Sequence, residues 1–373
     1  VSDVPANRAR FEVAIVGGGP AGLAAGLKLA AHGLDVAIIN RPAASAEPTP
    51  QKVGECLAPS CRPILERLGI ADLVTAERHL PSPGNQSSWG HPALASLDFL
   101  FHPYGTGWHL DRASFESDLA HRAEAAGCRF VSANVRKVHQ TQAPGWIFEL
   151  DLAPGALESR FAIDASGRPS SLAHAAGAKK VRHDALIAVY AFLEPASAPI
   201  ADATALIEAR PDGWWYSAVV PGGRLSVAYL TDPDLLQASG GSSRAAWDER
   251  LRATVHTRQR LSRGIYRLID DPRVAPAGSA ILDRISGAGW IACGDAAASY
   301  DPLSSHGIAT ALASGCDTAD ALLEVRNGNP VPLAQYEQRI RRSFDYYLRM
   351  KRDYYAQEKR WSERPFWQRR TSG

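Results

Sequence analysis

An α/β fold interrupted by an antiparallel sheet is predicted from three stretches of this 373-residue sequence. Residues 11–41, FEVAIVGGGPAGLAAGLKLAAHGLDVAIINR, run strand, glycine turn, helix, strand. Between about Leu186 and Leu282 the texture changes to short strand-like stretches joined by Pro/Gly turns. Residues 290–315, WIACGDAAASYDPLSSHGIATALASG, return to the strand-to-helix pattern. The simplest architecture is a nucleotide-binding domain split by a second domain, with a helical tail after Pro332.

Val13–Val16 is a short apolar run of the kind that a strand buried on both faces shows. It ends at Gly17, and a small-residue helix is predicted from Pro20 to His32, stopped by Gly33. Asp35–Ile39 reads as the next strand. Gly17, Gly19 and Gly22 hold the G-x-G-x-x-G spacing, with Pro20 and Ala21 between the last two. The first glycine allows the tight turn, the second lets a pyrophosphate approach the backbone, and the third lets helix and strand pack closely. The helix N-terminus then offers unpaired N–H groups and a positive dipole end to the diphosphate. Asn40 stands where an acidic residue usually grips the ribose, and Arg41 beside it could meet a phosphate. FAD and NAD(P) are both open at this point.

Composition narrows the class. Hydrophobic content of 45% and charged content of 21% are ordinary for a globular chain, and a net charge of +2 gives no argument for nucleic acid. The five cysteines (Cys56, Cys61, Cys128, Cys293, Cys316) are scattered with no C-x-x-C pair. Zinc, an Fe–S cluster and a disulfide framework are therefore not expected, and reduced thiols in a cytoplasmic protein are. No stretch approaches the roughly 20 apolar residues of a membrane span, and Val1–Arg10 is not expected to act as a signal peptide.

In chain order, a Pro/Ala-rich loop (Pro42–Pro50) leads to Gln51–Leu57, then to a short helix Pro63–Leu68 and a strand Leu94–Phe101. Asp111 caps a helix Arg112–Ala126 that Gly127 closes. Arg129–Val138, Trp146–Leu152 and Arg160–Ile163 read as strands, the last running into Asp164-Ala165-Ser166-Gly167-Arg168. Strands Leu186–Leu193, Thr204–Ala209, Trp214–Val220 and Leu225–Leu230 follow, with one helix, Ser243–Ser262, among them. This places the nucleotide-binding domain in residues 1–93, 109–182 and 286–330. The second domain takes 94–108 and 183–285, and the tail 331–373. In the tail, Tyr336, Ile340, Phe344 and Tyr347 repeat at helical spacing, so one face packs on the body. Residues 337–370 hold eleven Arg/Lys against five Asp/Glu, leaving the other face basic.

The second glycine joint selects the cofactor. Trp290–Cys293 is a short strand ending at Gly294-Asp295, where a carboxylate can accept hydrogen bonds from sugar-alcohol hydroxyls. Pro302 turns the chain, and Ser304-Ser305-His306-Gly307 leads into a helix near Ile308. Its N–H groups suit a group carrying negative charge, as a reduced flavin does. Two such joints far apart, the second with its Asp, favour FAD and a Rossmann-like FAD-binding domain. His306, beside the helix start, is a candidate acid/base, as is the carboxylate of Glu55. Trp214, Trp215, Tyr216 and Tyr229 are candidates for an aromatic substrate wall, and Trp108, His102 and His109 follow a turn at the domain junction.

GGGPAG, the Asp164 segment and GDAAASYDPLSSHG together resemble the flavoprotein monooxygenase superfamily with the para-hydroxybenzoate hydroxylase fold. VGECLAPSCRPILERLGI (53–70) resembles the GES-x-x-P segment of a narrower branch, which holds tryptophan halogenases and LodB/GoxB-like flavoproteins. GWHLDRASFESDLAHRAEAAG (107–127), DGWWYSAVVPGGRLSVAY (212–229) and the RW…FWQRR tail (360–370) resemble the second group more. The resemblance implies that Gly17, Gly19, Pro20, Ala21 and Gly22 hold the diphosphate, and that Asn40 with Arg41 meets the adenosine ribose region. It implies that Glu55 approaches the isoalloxazine and Arg112 contacts the cofactor. Asp295 would meet the ribityl chain, with Pro302, Ser305, His306, Gly307 and Ile308 lining the ring. Asn40 departs from the family's usual Glu.

The resemblance also implies that halogenation needs a lysine after the GE segment. This chain has none between Lys52 and Lys137, and Gly213-Trp214-Trp215-Tyr216-Ser217-Ala218-Val219 breaks the halogenase G-W-x-W-x-I-P pattern. The expected activity is therefore an FAD-dependent monooxygenase acting through a flavin C4a-hydroperoxide on an electron-rich aromatic ring. The substrate is of tryptophan or phenol type, free or bound to a peptide or protein, with Trp214, Trp215 and Tyr216 as its contacts. A halogenase using Lys52, a saturating reductase and a non-catalytic scaffold for a maturing partner are the rivals. Reduction by NAD(P)H directly and through a flavin reductase are both open, and no metal is expected.

Overall fold

The computed structural model describes residues 8–42, 53–75, 77–141, 145–196 and 202–371. Its first sheet is built on the strand Ala9–Val16, in which Val13, Ala14 and Ile15 are fully buried. Parallel neighbours flank it: Ala156–Asp164 on one side (Val13↔Phe161) and Val36–Asn40 on the other (Val13↔Val36). Trp290–Ala292 and Arg129–Ser132 extend the parallel core outward. A parallel strand covered on both faces needs no polar alternation, which is why these runs are nearly all apolar.

The helix Pro20–Ala31 returns the chain between the first two strands, and Gly307–Arg326 packs directly on it. A Cβ at Gly315 would stand 2.2 Å from the Ala21 carbonyl oxygen, so only glycine allows this crossing. The two helices that follow the two glycine joints therefore touch, although some 290 residues separate their starts.

The second sheet runs in the spatial order Tyr266–Leu268, Ile187–Pro195, Leu225–Thr231, Gly213–Val219, Ala205–Arg210, Gly84–Ser88, Ala95–Asp98. All its neighbours are antiparallel except Gly84–Ser88, which lies parallel to Ala205–Arg210. Gly84–Ser88 thus enters this sheet ahead of residue 94, the start expected from sequence. Its GNQSS composition carries no apolar alternation to announce it.

Other expectations are corrected. The single helix Ser243–Ser262 is two, Arg244–Arg252 and His256–Gly264. The buried Glu208 carboxylate takes the Val255 N–H at 2.7 Å and the Thr257 N–H at 2.8 Å, starting a new helix. The strand Leu94–Phe101 shrinks to the exposed Ala95–Asp98, because the Asp98 carboxylate accepts the Leu100 N–H at 2.7 Å and bends the chain. Arg129–Val138 divides into Arg129–Ser132 in the parallel sheet and Val135–Gln140, which pairs with Trp146–Leu150. The hinge is clamped by Asp151, which takes the Asn134 N–H at 2.7 Å.

The tail is one long helix, Val331–Tyr355, and a short one, Pro365–Thr371. Tyr336, Ile340 and Phe344 are buried against the first domain and Tyr347 is partly buried, as their spacing predicts. Tyr355, Phe366 and Trp367 instead pack beneath the second sheet, against Trp214. The tail thus bridges both domains. None of the described helices is long and apolar enough to cross a membrane.

Candidate active site

A cavity of about 410 Å³ lies between the two glycine joints and one face of the second sheet. Gly19, Pro20 and Ala21 form one wall, Pro302, Ser305, Gly307 and Ile308 a second, and Ala188, Ile207, Trp214, Tyr216 and Ala228 a third.

The first wall is backbone. Gly17 has φ +114°, and a Cβ there would come within 2.2 Å of the Ala165 carbonyl oxygen. A Cβ at Gly22 would come within 2.0 Å of the Gly17 carbonyl oxygen. At Gly19 the same position is open space, and no side chain caps the helix that starts there. The open N–H groups and absent side chain suit a diphosphate. The helix Gly307–Arg326 begins in the same way, with no side-chain cap and with open space at Gly307. Two uncapped helix starts facing one cavity fit both ends of a dinucleotide carrying an electron-rich ring. Asn40 ends the second strand beside Gly18, whose Cβ would lie 2.9 Å from the Asn40 amide, and Arg41 is exposed next to it.

Asp295 lines the cavity, half-buried, with Arg168 3.4 Å away. Burial pushes its carboxyl above the usual range, opposed by Arg168, Lys180 and Arg112. Lys180 holds this corner together, donating to the carbonyls of Arg168 and Asp295 and to Ser170 Oγ, each at 2.9 Å. Burial brings the Lys180 ammonium down to about 8, against the pull of Asp295. Asp164, by contrast, is spent on structure. Its carboxylate takes the N–H groups of Ser166 (3.0 Å) and Ala173 (2.8 Å) and fixes the turn that carries Arg168. Arg112 lines the cavity and donates to the Gly54 carbonyl at 2.6 Å, while its buried Nε has no hydrogen-bond partner among the described residues.

Glu55 is 1% exposed and does not itself line the cavity. It reaches it through Tyr216, whose hydroxyl donates to Glu55 Oε1 at 3.0 Å. Asp301, also buried, accepts from Tyr355 Oη at 2.8 Å, and Tyr355 Oη in turn accepts from Trp214 Nε1 at 2.9 Å. The tail thereby fixes both the Pro302 turn and the aromatic wall.

Several expected residues fall elsewhere. Trp215 and Tyr229 sit on the far face of the second sheet, stacked at 5.0 Å and packed with Trp247. Alternation along the strand puts Trp214 and Tyr216 on the cavity face and Trp215 away from it. His306 is exposed at the helix N-cap and is not among the lining residues. Trp108, His102 and His109 do not line the cavity either. Lys52, the alternative halogenase lysine, lies outside the described residues. Arg168, Tyr300 and Asp301 do line it, and sequence reading gave them no role. Their one signal is position, directly after Gly167 and directly before Pro302.

Residues 91–372 match the family model described as tryptophan halogenase, and residues 11–75 match that of pyridine nucleotide-disulphide oxidoreductase. The chain is 29% identical over 374 residues to a protein named as an FAD-dependent oxidoreductase, LodB, of Marinomonas mediterranea, covering 96% of each. It is 24% identical to a 1H-pyrrole-2-carbonyl-(peptidyl-carrier protein) brominase of Pseudoalteromonas luteoviolacea, covering 86% of this chain and 79% of that one. Among solved structures, the flavin-dependent halogenase CmlS superposes with a TM-score of 0.84 at 25% identity, covering 99% of this chain and 68% of that one. The peptidyl tryptophan dihydroxylase QhpG shares the fold, with a TM-score of 0.74 at 23% identity, covering 97% and 79%. With most of its length matched by one family model, the chain belongs to the tryptophan halogenase family of FAD-dependent enzymes.

Proposed function

We propose that this chain is an FAD-dependent monooxygenase that hydroxylates an electron-rich aromatic ring of tryptophan or phenol type, carried on a peptide or protein. One observation carries the reading: the wall opposite the flavin cradle is small, apolar and aromatic, and among the described residues no lysine lines the cavity. In this role Gly17, Gly19, Pro20, Ala21 and Gly22 hold the FAD diphosphate and Asn40 with Arg41 meets the adenosine ribose. Asp295 accepts from the ribityl hydroxyls, and Arg112 donates to the cofactor. Pro302, Ser305, Gly307 and Ile308 line the ring. Reduced FAD, when bound, supplies the activated oxygen.

The protein supplies orientation and dryness. Ala188, Ile207, Ala228 and Leu230 line the substrate end, where an apolar wall excludes water that would divert the activated oxygen. Trp214 and Tyr216 present flat faces against which an aromatic ring stacks. Relatives named for a peptidyl-carrier-bound pyrrole and a peptidyl tryptophan support a tethered substrate. Electrons arrive from NAD(P)H, directly or through a separate flavin reductase.

The test is product mass. The FAD-loaded protein is reduced and exposed to oxygen with a tryptophan- or tyrosine-containing peptide, with and without bromide. A gain of one oxygen independent of bromide is expected. A bromide-dependent gain of bromine assigns a halogenase instead, and consumption of oxygen without product refutes the hydroxylase reading.

A further inference from the structure

We propose that Tyr216 and Glu55 form a proton relay from the cavity to a buried acceptor, and that the substrate therefore carries an N–H or O–H conjugated to the ring that reacts. The inference rests on the hydroxylase reading and names the part of the substrate this wall recognises.

Glu55 is buried at 1% exposure, and among the described residues no cation is bonded to it. Its Oε1 accepts from Tyr216, and its Oε2 has no hydrogen-bond partner among the described residues. Across the strand pair Cys56↔His109 stands a second orphan. His109 is fully buried, and its Nδ1–H donates to the Val219 carbonyl at 2.7 Å. Burial keeps the imidazole neutral by lowering its pKa, against the charge of Glu55, so Nε2 is a bare lone pair, also without a partner. Glu55 Oε2 and His109 Nε2 are thus two buried acceptors that no donor among the described residues satisfies. A carboxylate oxygen left open in this way keeps Glu55 an acceptor with capacity beyond its bond to Tyr216.

The other groups facing this pair supply no proton. Burial holds the Cys56 thiol up at about 12. Arg260 is committed to Asp202 at 3.0 Å and to the Ser217 carbonyl at 2.9 Å. Tyr216 remains, and among the described residues it alone both lines the cavity and bonds Glu55 through its side chain. Burial and the Glu55 charge raise its own pKa well above the usual phenol value, so it does not act as a standing phenolate base. It can pass a proton through.

The step balances within three groups. As the ring donates electrons to the incoming oxygen, its conjugated N–H or O–H becomes more acidic. That bond breaks and its proton bonds to Tyr216 Oη, while the Tyr216 O–H breaks and its proton bonds to Glu55 Oε1. The substrate has lost one proton, Glu55 has become a neutral acid, and Tyr216 is unchanged. When the product ring regains aromaticity by losing its C–H proton to solvent, the borrowed proton returns along the same path.

Two probe pairs separate this relay from a structural tie: phenol against anisole, and indole against 1-methylindole. In each pair methylation removes only the hydrogen that the relay takes. Calorimetric binding to the oxidised FAD-loaded protein should favour the unmethylated member by about tenfold, one good hydrogen bond. Tyr216→Phe, which keeps the ring that packs in the sheet, should bring that ratio to about one. Glu55→Gln still accepts from Tyr216, so its binding ratio should stay as in the wild type. Its hydroxylation of phenol or indole should fall about a hundredfold, as for a lost general base, while that of the methylated partner is unchanged. Wild-type ratios in Tyr216→Phe, equal slowing of both members by Glu55→Gln, or no binding of any probe overturns the relay. The binding arm needs no turnover. An intact ratio without oxygenated product would therefore sink the hydroxylase reading and keep Tyr216 as the acceptor of the substrate's hydrogen.

Discussion

The two ends of the cavity are built by different means. At the cofactor end the walls are backbone: Gly17, Gly22 and Gly315 each leave no room for a Cβ, and Gly19 leaves its space to a ligand. At the proposed substrate end the walls are side chains from several strands of the second sheet, with Trp214 and Tyr216 toward the cavity and Trp215 against Trp247 and Tyr229. The first construction tolerates almost no substitution and fits one ligand shape. The second can be rewritten residue by residue while the sheet stays intact. This difference lets one fold keep its cofactor while its substrates vary.

The largest effect should come from the backbone end. In Gly22→Ala the new Cβ meets the Gly17 carbonyl oxygen at 2.0 Å and Ala165 Cβ at 3.1 Å, so the turn itself must open. Titrated with FAD, Gly22→Ala should bind at least about tenfold more weakly than wild type, and so lose flavin on purification. A fully yellow variant would show that the backbone end is as adaptable as the other.

The next test sets the two faces of one strand against each other. Trp215→Ala empties a core site of an aromatic side chain and should cost about 3–5 kcal/mol in denaturant unfolding, with substrate KM unchanged. Trp214→Phe keeps most of the bulk but forfeits the Nε1–H to Tyr355 Oη bond at 2.9 Å. It should cost about 1–3 kcal/mol and raise substrate KM. Reversed KM effects would exchange the two faces.

The smallest effect lies behind the substrate end, where Arg369 of the tail pairs with Asp234 at 2.6 Å on the surface. Arg369 also bonds the buried Asp232 at 2.9 Å, so the exposed pair is tested by Asp234→Asn, which should cost only about 0.2–1 kcal/mol at neutral pH and low salt. Hydrogen bonding to Arg369 lowers the Asp234 carboxyl to about 2. A depressed folded-state pKa gives stability that is present above the unfolded value of roughly 3.9 and lost as pH falls toward 2. The difference between wild type and variant should shrink through that window, and also with added salt.

Much of the cofactor end was legible because its constraints are local. A G-x-G-x-x-G after an apolar run specifies its own turn, and Asp111 announces its cap, taking the Ser114 N–H at 2.9 Å. The substrate end was legible only as a list of aromatics. Trp214, Trp215 and Tyr216 are all large and apolar in body, and both faces of their sheet are covered, so no polar alternation marks which face is which. His306 attracted attention through its residue type, yet it lies exposed at a helix N-cap. Glu208 split an expected helix from a strand some fifty residues upstream, and no helical periodicity could show that.

By itself, then, the sequence determined the two glycine joints, the split α/β plan and the buried face of the tail. Each follows from steric limits or hydrophobic period within a short window. Only the tertiary structure decided that the two joints meet across Gly315 and Ala21, that Trp215 turns away from the cavity, and that Glu55 finds Tyr216 161 residues later. Those outcomes depend on which packed surfaces face one another, and a buried acid is given its partner by the fold around it.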